Sequence, residues 1–519
     1  MSDSMFDIRY RKGLPDDLRR MQDHVQQIAK DAGLDFFPVV FEMVEPEEMS
    51  MLAAYGGFPT RYPHWRFGME FEQLQKSYVY GLSKIYEMVI NTDPCYAYLM
   101  NCNAAVDQKL VMAHVYGHCD FFKNNMWFGH TNRKMLDTMA NHAVRVRRII
   151  DRFGTERVEQ FIDWCLSVEN LVDVHGAAIQ RQADEKDPIR ATLRARHDEG
   201  GAPELPDAGH FKADVDRSYL DEYVNPPDEV MARRENALKE SLAPTRTPES
   251  PERDVLGFIL AHAPLHGWEA DILSIIRAEA LYFAPQGQTK IMNEGWATFW
   301  HTKLMTEKLA TADEIVDYAD HHAGTVAQSP YKLNPYKLGV ELFRDLEARW
   351  DTGRHGADYE GCDDMARRRD WFVDERGGLQ KVFEVRRIYN DLQFVDAYLT
   401  EDFCRKQGFF AYGYDTKNRQ YVVESTQFAE VKSKLLDQLT NFGQPIIEVV
   451  DANFANRGEL LLAHNHTGAD LQIDWAETTL LNLTRLWKRP VALETRLDGA
   501  AIRLRHDGNE LVRTTVGES

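Results

Sequence analysis

The chain has 519 residues, 44% hydrophobic and 28% charged, which is enough for a large core in two or three domains and too polar for a membrane protein. Its 61 basic and 82 acidic residues leave a net charge of −21, which argues against nonspecific binding to nucleic acid or anionic lipid. No stretch approaches the roughly 20 apolar residues of a membrane helix, and MSDSMFDIRYRKG at the amino terminus lacks an apolar signal core. Six cysteines (Cys95, Cys102, Cys119, Cys165, Cys362, Cys404) without CxxC spacing suit buried thiols of a reducing cytosol. A cytoplasmic location is expected.

Residues 15 to 32 predict an amphipathic helix, with Pro15 at its first position, Asp16 and Asp17 at the positive dipole end and Gly33 as its stop. Residues 53 to 68 are rich in Gly, Pro and aromatics and predict an ordered loop packed over something. Helix is expected from Met69 to Met88, then a strand at CYAYLMN, then helix from Lys109 onward. Further helix is expected from Arg133 to Asp173, broken near Gly154. Residues 183 to 255, charged and ending in SLAPTRTPESPERD, read as a flexible excursion. Residues 252 to 350 are helical in pattern, with breaks at Pro264, Pro285, Pro330 and Pro335. From residue 406 the texture changes: a hairpin turning at Asp415 to Asn418, four β-rich runs, and helices at 426 to 441 and 475 to 488. The fold class expected is mainly α, with a helical domain over 1–405 and a small α+β domain over 406–519.

Two stretches carry chemistry. In KLVMAHVYGHCDFFKNNM, residues 109–126, His114 and His118 are four apart on one helix face, the spacing of paired metal ligands. Such a pair is also compatible with polar core histidines bound to no metal. In KIMNEGWATFWH, residues 290–301, Glu294 and His301 are seven apart, again on one face. His114, His118 and Glu294 would form a three-ligand set with an open fourth position, as in catalytic zinc sites. Zinc is the expected divalent metal, because imidazole and carboxylate suit it. GxGxxG and Walker loops are absent.

Together HVYGHCDFFKNN and NEGWA resemble the aminopeptidase branch of the gluzincin metallopeptidases, which implies a zincin-like helical core. Two features depart from that pattern. Val115 stands where the gluzincin general base would be, and 176 positions separate His118 from Glu294. Glu279 is the first candidate for a substitute base, with Glu269, Glu169 and Asp173 as others, each also readable as an ordinary paired carboxylate. Tyr116 or His301 could polarise a scissile carbonyl. His262 and His266, separated by Pro264, are candidates to touch substrate or ligands.

RYPHWRFG, YGLSKIYEMVINTDPCYAYLMN, DQKLVMAHVYGHCDFFKNN, SVENLVDVHG, KIMNEGWATFWH, NPYKLG and LWKRPVALET resemble the stage V sporulation protein R (SpoVR) family over essentially the whole chain. The resemblance implies a cytoplasmic protein linked to spore-cortex peptidoglycan or to stress physiology. It also implies association with a PrkA-like serine kinase and a von Willebrand factor A-like protein. Two readings follow: a metal-dependent hydrolase without the usual base, or a non-enzymatic regulator with a degenerate zincin-like site.

Overall fold

The computed structural model describes residues 13–79, 87–176, 247–327, 333–415 and 420–516. Its contacts divide the chain into two units, Met1–Val174 with Leu256–Ile446, and His175–Val255 with Ile447–Ser519. No helix among the described residues is long and apolar enough to cross a membrane.

The first unit is mostly helical around a large apolar cluster that includes Tyr116, Phe121, Trp296, Phe343 and Phe394. The first helix, Asp16–Asp31, follows Pro15 and buries Leu18, Val25 and Ala29. Gly33, at φ +95°, takes the chain out of it in a conformation that L residues rarely adopt. Strands β1 (Val39–Val44), β2 (Glu87–Ile90) and β3 (Cys95–Met100) form a small sheet in the order β1-β3-β2. β1 lies parallel to β3, and β2 lies antiparallel to it, with Glu87 opposite Leu99 and Ile90 opposite Tyr96.

Several expectations need correction. The helix expected to reach Met88 spans Trp65–Val79, and Glu87–Ile90 is strand because its backbone groups bond to β3. The loop expected over 53–68 is shorter, since Ala54 ends the helix Pro46–Ala54 and Trp65 begins the next. Its aromatics do pack inward: Phe58 and Tyr62 are each 1% exposed. The helical stretch 133–173 resolves into Met135–Phe153 and Thr155–Leu166, parted by Gly154 at φ +88°. Pro285 does not break its helix, which runs Gly267–Gln288, and Thr289 Oγ1 donates to the Pro285 carbonyl at 2.7 Å. Pro335 opens the helix Pro335–Asp351, with the Asn334 side chain accepting from Tyr336 and Lys337 amides. Pro330, and most of the excursion expected at 183–255, lie outside the described residues.

Three helices hold the centre of this unit: Ala105–Asn124, Lys290–Leu304 and Pro335–Asp351. The first is buried on nearly every side, from Val106 to Phe122. Small residues let the second pack tightly against the other two. A Cβ on Gly117 would stand 2.7 Å from the Ala297 Cα, and one on Gly295 would collide with the Gly339 backbone. Asp120 ties the first two helices together, accepting from Trp296 Nε1 at 2.8 Å and from the Asp35 amide at 2.8 Å. Asp391 accepts from the amides of Ile291 and Met292 at 2.7 and 2.8 Å, satisfying buried donors of the second helix's first turn that have no partner within the helix.

The hairpin of β4 (Ala411–Asp415) and β5 (Gln420–Ser425) precedes a helix at Phe428–Leu439, and the turn residues expected between the two strands are not all described. The change of texture at residue 406 does not coincide with the division of contacts. Val431, Leu435 and Leu436 pack into the first unit's core, so that unit extends to Ile446.

The second unit contains a five-stranded sheet in the order β10-β9-β8-β7-β6, from β6 (Ile447–Phe454), β7 (Glu459–His464), β8 (Val491–Leu497), β9 (Ala500–His506) and β10 (Leu511–Thr515). β7 and β8 are parallel and are joined through the helix Ile473–Trp487, since parallel neighbours need a crossover. The sequence reading missed β10, whose side chains are almost all exposed. His464 bonds to Thr495 and His466 to Asp470.

Candidate metal centre

The helix Ala105–Asn124 presents His114 and His118 side by side, their rings 4.6 Å apart. The neighbouring helix Lys290–Leu304 brings Glu294 to the same point: its Oε2 is 3.8 Å from His114 Nε2 and 3.5 Å from His118 Nε2. β2 adds Glu87, whose Oε1 is 3.0 Å from His114 Nε2 and 3.7 Å from His118 Nε2. Glu87, His114 and His118 thus offer ligand atoms that all lie within 4.8 Å of one another.

The NEGWA stretch has a structural reason at each position. Asn293 Oδ1 accepts from His118 Nδ1 at 2.9 Å, which leaves His118 Nε2 as the lone-pair nitrogen facing the carboxylates. Glu294 supplies the carboxylate, and Gly295 and Ala297 are the two close approaches between helices. Trp296 donates to the buried Asp120.

His301 is 1% exposed and does not face this point. Its Nδ1 meets His114 Nδ1 at 2.7 Å, and its Nε2 meets His322 Nδ1 at 3.2 Å. It orients His114 from behind. Burial, and then the neighbouring His114, keep its pKa well below the ordinary value, so it is neutral at neutral pH. Tyr336 stacks on His114 with ring centroids 6.2 Å apart. Burial, then the Glu294 and Glu87 carboxylates, push its phenol far above the ordinary range.

Several sequence candidates fall elsewhere. Tyr116 is fully buried in the core, 4.6 Å from Phe36 ring to ring, because it lies on another side of the helix from His114 and His118. Glu279 accepts from Arg61 Nη2 at 2.6 Å and pairs with His142 Nδ1 at 3.0 Å, in a separate buried cluster. Glu269 bonds to the His266 amide at the start of its own helix, and Glu169 pairs with Arg66 at 3.3 Å. Cys119 is buried in the apolar core, and the His262 ring packs at a tilt against Phe258.

Glu87 and Tyr336 were missed. Glu87 was absorbed into an expected helix, although the EMVI run followed by NTDP and CYAYLM is a strand, turn and strand signal. Tyr336 lies in NPYKLG, where nothing local marks it as a neighbour of His114.

The donors fit a divalent ion. Zinc bonds of 2.0–2.1 Å place tetrahedral donor atoms roughly 3.3 Å apart, and the four imidazole to carboxylate distances, 3.0 to 3.8 Å, bracket that value. His114 Nε2 and Glu294 Oε2 are buried without a hydrogen-bond partner of acceptable geometry, a cost that a shared cation would relieve. Burial alone would raise the Glu87 carboxyl, but His114 and His118 hold it well below the usual range. Burial pulls His114 down, yet Glu87 and Glu294 push it up to about 9 from 6.5.

That shift sets a pH dependence for the metal-free protein. A raised imidazole pKa stabilises the fold fully below the unfolded value of 6.5, and the contribution is lost as pH rises through about 9. Melting temperatures in chelator should fall over that interval, and fall less in His114→Gln. An equal fall in the variant would assign the effect to other groups.

A family model described as SpoVR like protein matches residues 14–444. The chain belongs to the SpoVR family. A second model, the SpoVR-like C-terminal domain, matches residues 445–498, so the two SpoVR matches meet close to the boundary between the two contact units. This SpoVR chain is 29% identical over 509 residues to the "Uncharacterized protein YcgB" of Escherichia coli (strain K12), covering 92% of each chain. No solved structure matches.

Proposed function

We propose that this SpoVR-family chain is a divalent-metal-dependent hydrolase whose ion, zinc by the chemistry of its donors, is held by His114, His118 and Glu294. The observation that carries the reading is the convergence of two imidazoles and two carboxylates on one point, with His114 Nε2 and Glu294 Oε2 otherwise unpartnered. When bound, such an ion polarises a carbonyl and lowers the pKa of a water to about 7. Glu87 takes the part that Val115 cannot play. Its carboxylate accepts a proton from water at that point and returns it to the leaving group. Asn293 and His301 hold the imidazoles in orientation, and the Tyr336 hydroxyl donates to developing negative charge. The gluzincin-like spacing and the family's link to peptidoglycan point to amide bonds of peptides or peptidoglycan stems as substrates. The same family likeness supports a reaction in the cytoplasm, beside a PrkA-like kinase and a von Willebrand factor A-like partner, as part of this proposal.

One observation favours a second reading. Glu87 reaches both imidazoles, so as a fourth ligand it would close the site and leave a structural metal in a regulator or scaffold. Glu87→Gln separates the two. The hydrolase reading expects metal to be retained while turnover of a peptide or muropeptide probe falls by about 100-fold or more. Loss of metal together with loss of folding, in this variant or on chelation, supports the structural site. Turnover unchanged in Glu87→Gln removes Glu87 from the mechanism.

A further inference from the structure

Glu279 is part of a second constellation, away from the metal ligands. A cavity of about 450 Å³ is lined by Arg61, Tyr62, Arg66, Glu169, Glu279 and Phe442, among others. Its polar floor is built rather than incidental. Arg61 and Glu279 have side chains only 8% and 5% exposed and pair at 2.6 Å. Arg61 Nη1 also donates to the Tyr55 carbonyl at 3.0 Å, and His142 Nδ1 pairs with the second oxygen of Glu279 at 3.0 Å. Every group of that floor is thereby fixed in place.

Two polar atoms on it are left over. Arg61 Nε and the Tyr62 hydroxyl are buried, Tyr62 being only 1% exposed, and although the two side chains lie against each other neither atom has a hydrogen-bond partner of acceptable geometry. Buried donors of this kind cost free energy unless something meets them. Phe442 lines the same cavity with φ +58°, beside Asn441 at +48°. A bulky residue in that conformation is strained, and strain of this kind collects at ligand clamps. A Cβ on Gly287 would meet the Phe442 ring at 2.8 Å, so the glycine leaves room for it.

The lining has three carboxylates, Glu70, Glu169 and Glu279, against two guanidiniums, Arg61 and Arg66, with Phe67, Phe283 and Phe442 as apolar walls. We infer that this cavity binds a small ammonium compound with an apolar body and a hydrogen-bond acceptor, of the amino-acid amide class. The surplus carboxylate charge receives the cation, and the aromatic walls, of which the Phe67 and Phe283 rings already carry the Arg61 guanidinium, pack against the apolar body. Arg61 Nε and the Tyr62 hydroxyl meet the acceptor. Acidic analogues of the same shape are excluded by the net negative lining.

The test is calorimetric titration of the full chain with L-phenylalaninamide, L-tryptophanamide and L-lysinamide, with phenylacetate as the acidic control. The expected result is saturable one-site binding of at least one amide and none of phenylacetate. Tyr62→Phe should weaken it roughly tenfold, the worth of one buried hydrogen bond, and Ala280→Phe, which fills the cavity, should abolish it. His114→Ala should leave it unchanged, which keeps the outcome independent of the metal centre. Circular dichroism confirms that each variant is folded. Absence of binding by all three amides at millimolar concentration, or binding indifferent to both cavity variants, overturns the inference.

Discussion

Replacing His114 or Glu294 by alanine is expected to remove the bound metal. Purified without a histidine tag, the wild-type chain should carry near-stoichiometric divalent metal by elemental mass spectrometry, and each variant should carry almost none. The two residues come from different helices and meet only at the ligand point, 3.8 Å apart, so a shared effect on metal content locates the ion there. Losing one of three ligands costs far more than the 10–100-fold affinity loss typical of an outer partner. Asn293→Ala and His301→Ala, which touch His118 and His114 from behind, should fall in that smaller range. Metal absent from the wild type even after incubation with zinc, manganese and iron would sink the centre and leave the histidines as polar core.

Gly295→Val is expected to destabilise the first unit by about 3 kcal/mol, the upper range for overpacking a filled interior. A Cβ at Gly295 would collide with the Gly339 backbone, and backbone cannot rotate away as a side chain can. The helix bearing Glu294 would have to move off the helix Pro335–Asp351, displacing Glu294 from the histidines and lowering metal affinity with stability. Gly324→Ala is the control, because nothing lies within 4 Å of a Cβ there. It should be neutral or stabilising by up to about 1 kcal/mol through helix propensity. Urea unfolding midpoints read both. A Gly295→Val protein as stable as the wild type would mean that the two helices do not cross at these glycines.

The family likeness was legible in the sequence, as was the mostly helical character with a β-rich carboxyl-terminal region. Both follow from strings and periodicities that need only neighbouring residues. The structure places β2 where helix was expected, because four residues paired to β3 outweigh a local helical pattern.

The candidate site divides in the same way. A helix fixes the geometry of residues four apart, so HVYGH alone determined that His114 and His118 share a face, and NEGWA marked Glu294 as a carboxylate for them. Which carboxylates would stand nearby was a matter of packing between elements distant in sequence. Glu279, within a helix and rich in apolar neighbours, went to Arg61 and His142, while Glu87 arrived from a strand edge. Tyr116, two residues from each histidine, turned into the core because 3.6 residues per turn carry it away from both. Sequence alone determined the paired imidazoles and the motif that serves them. Only tertiary structure decided that Glu87 and Tyr336 complete their surroundings, because those neighbours are selected by glycine-mediated helix crossings and strand pairing that no local pattern encodes.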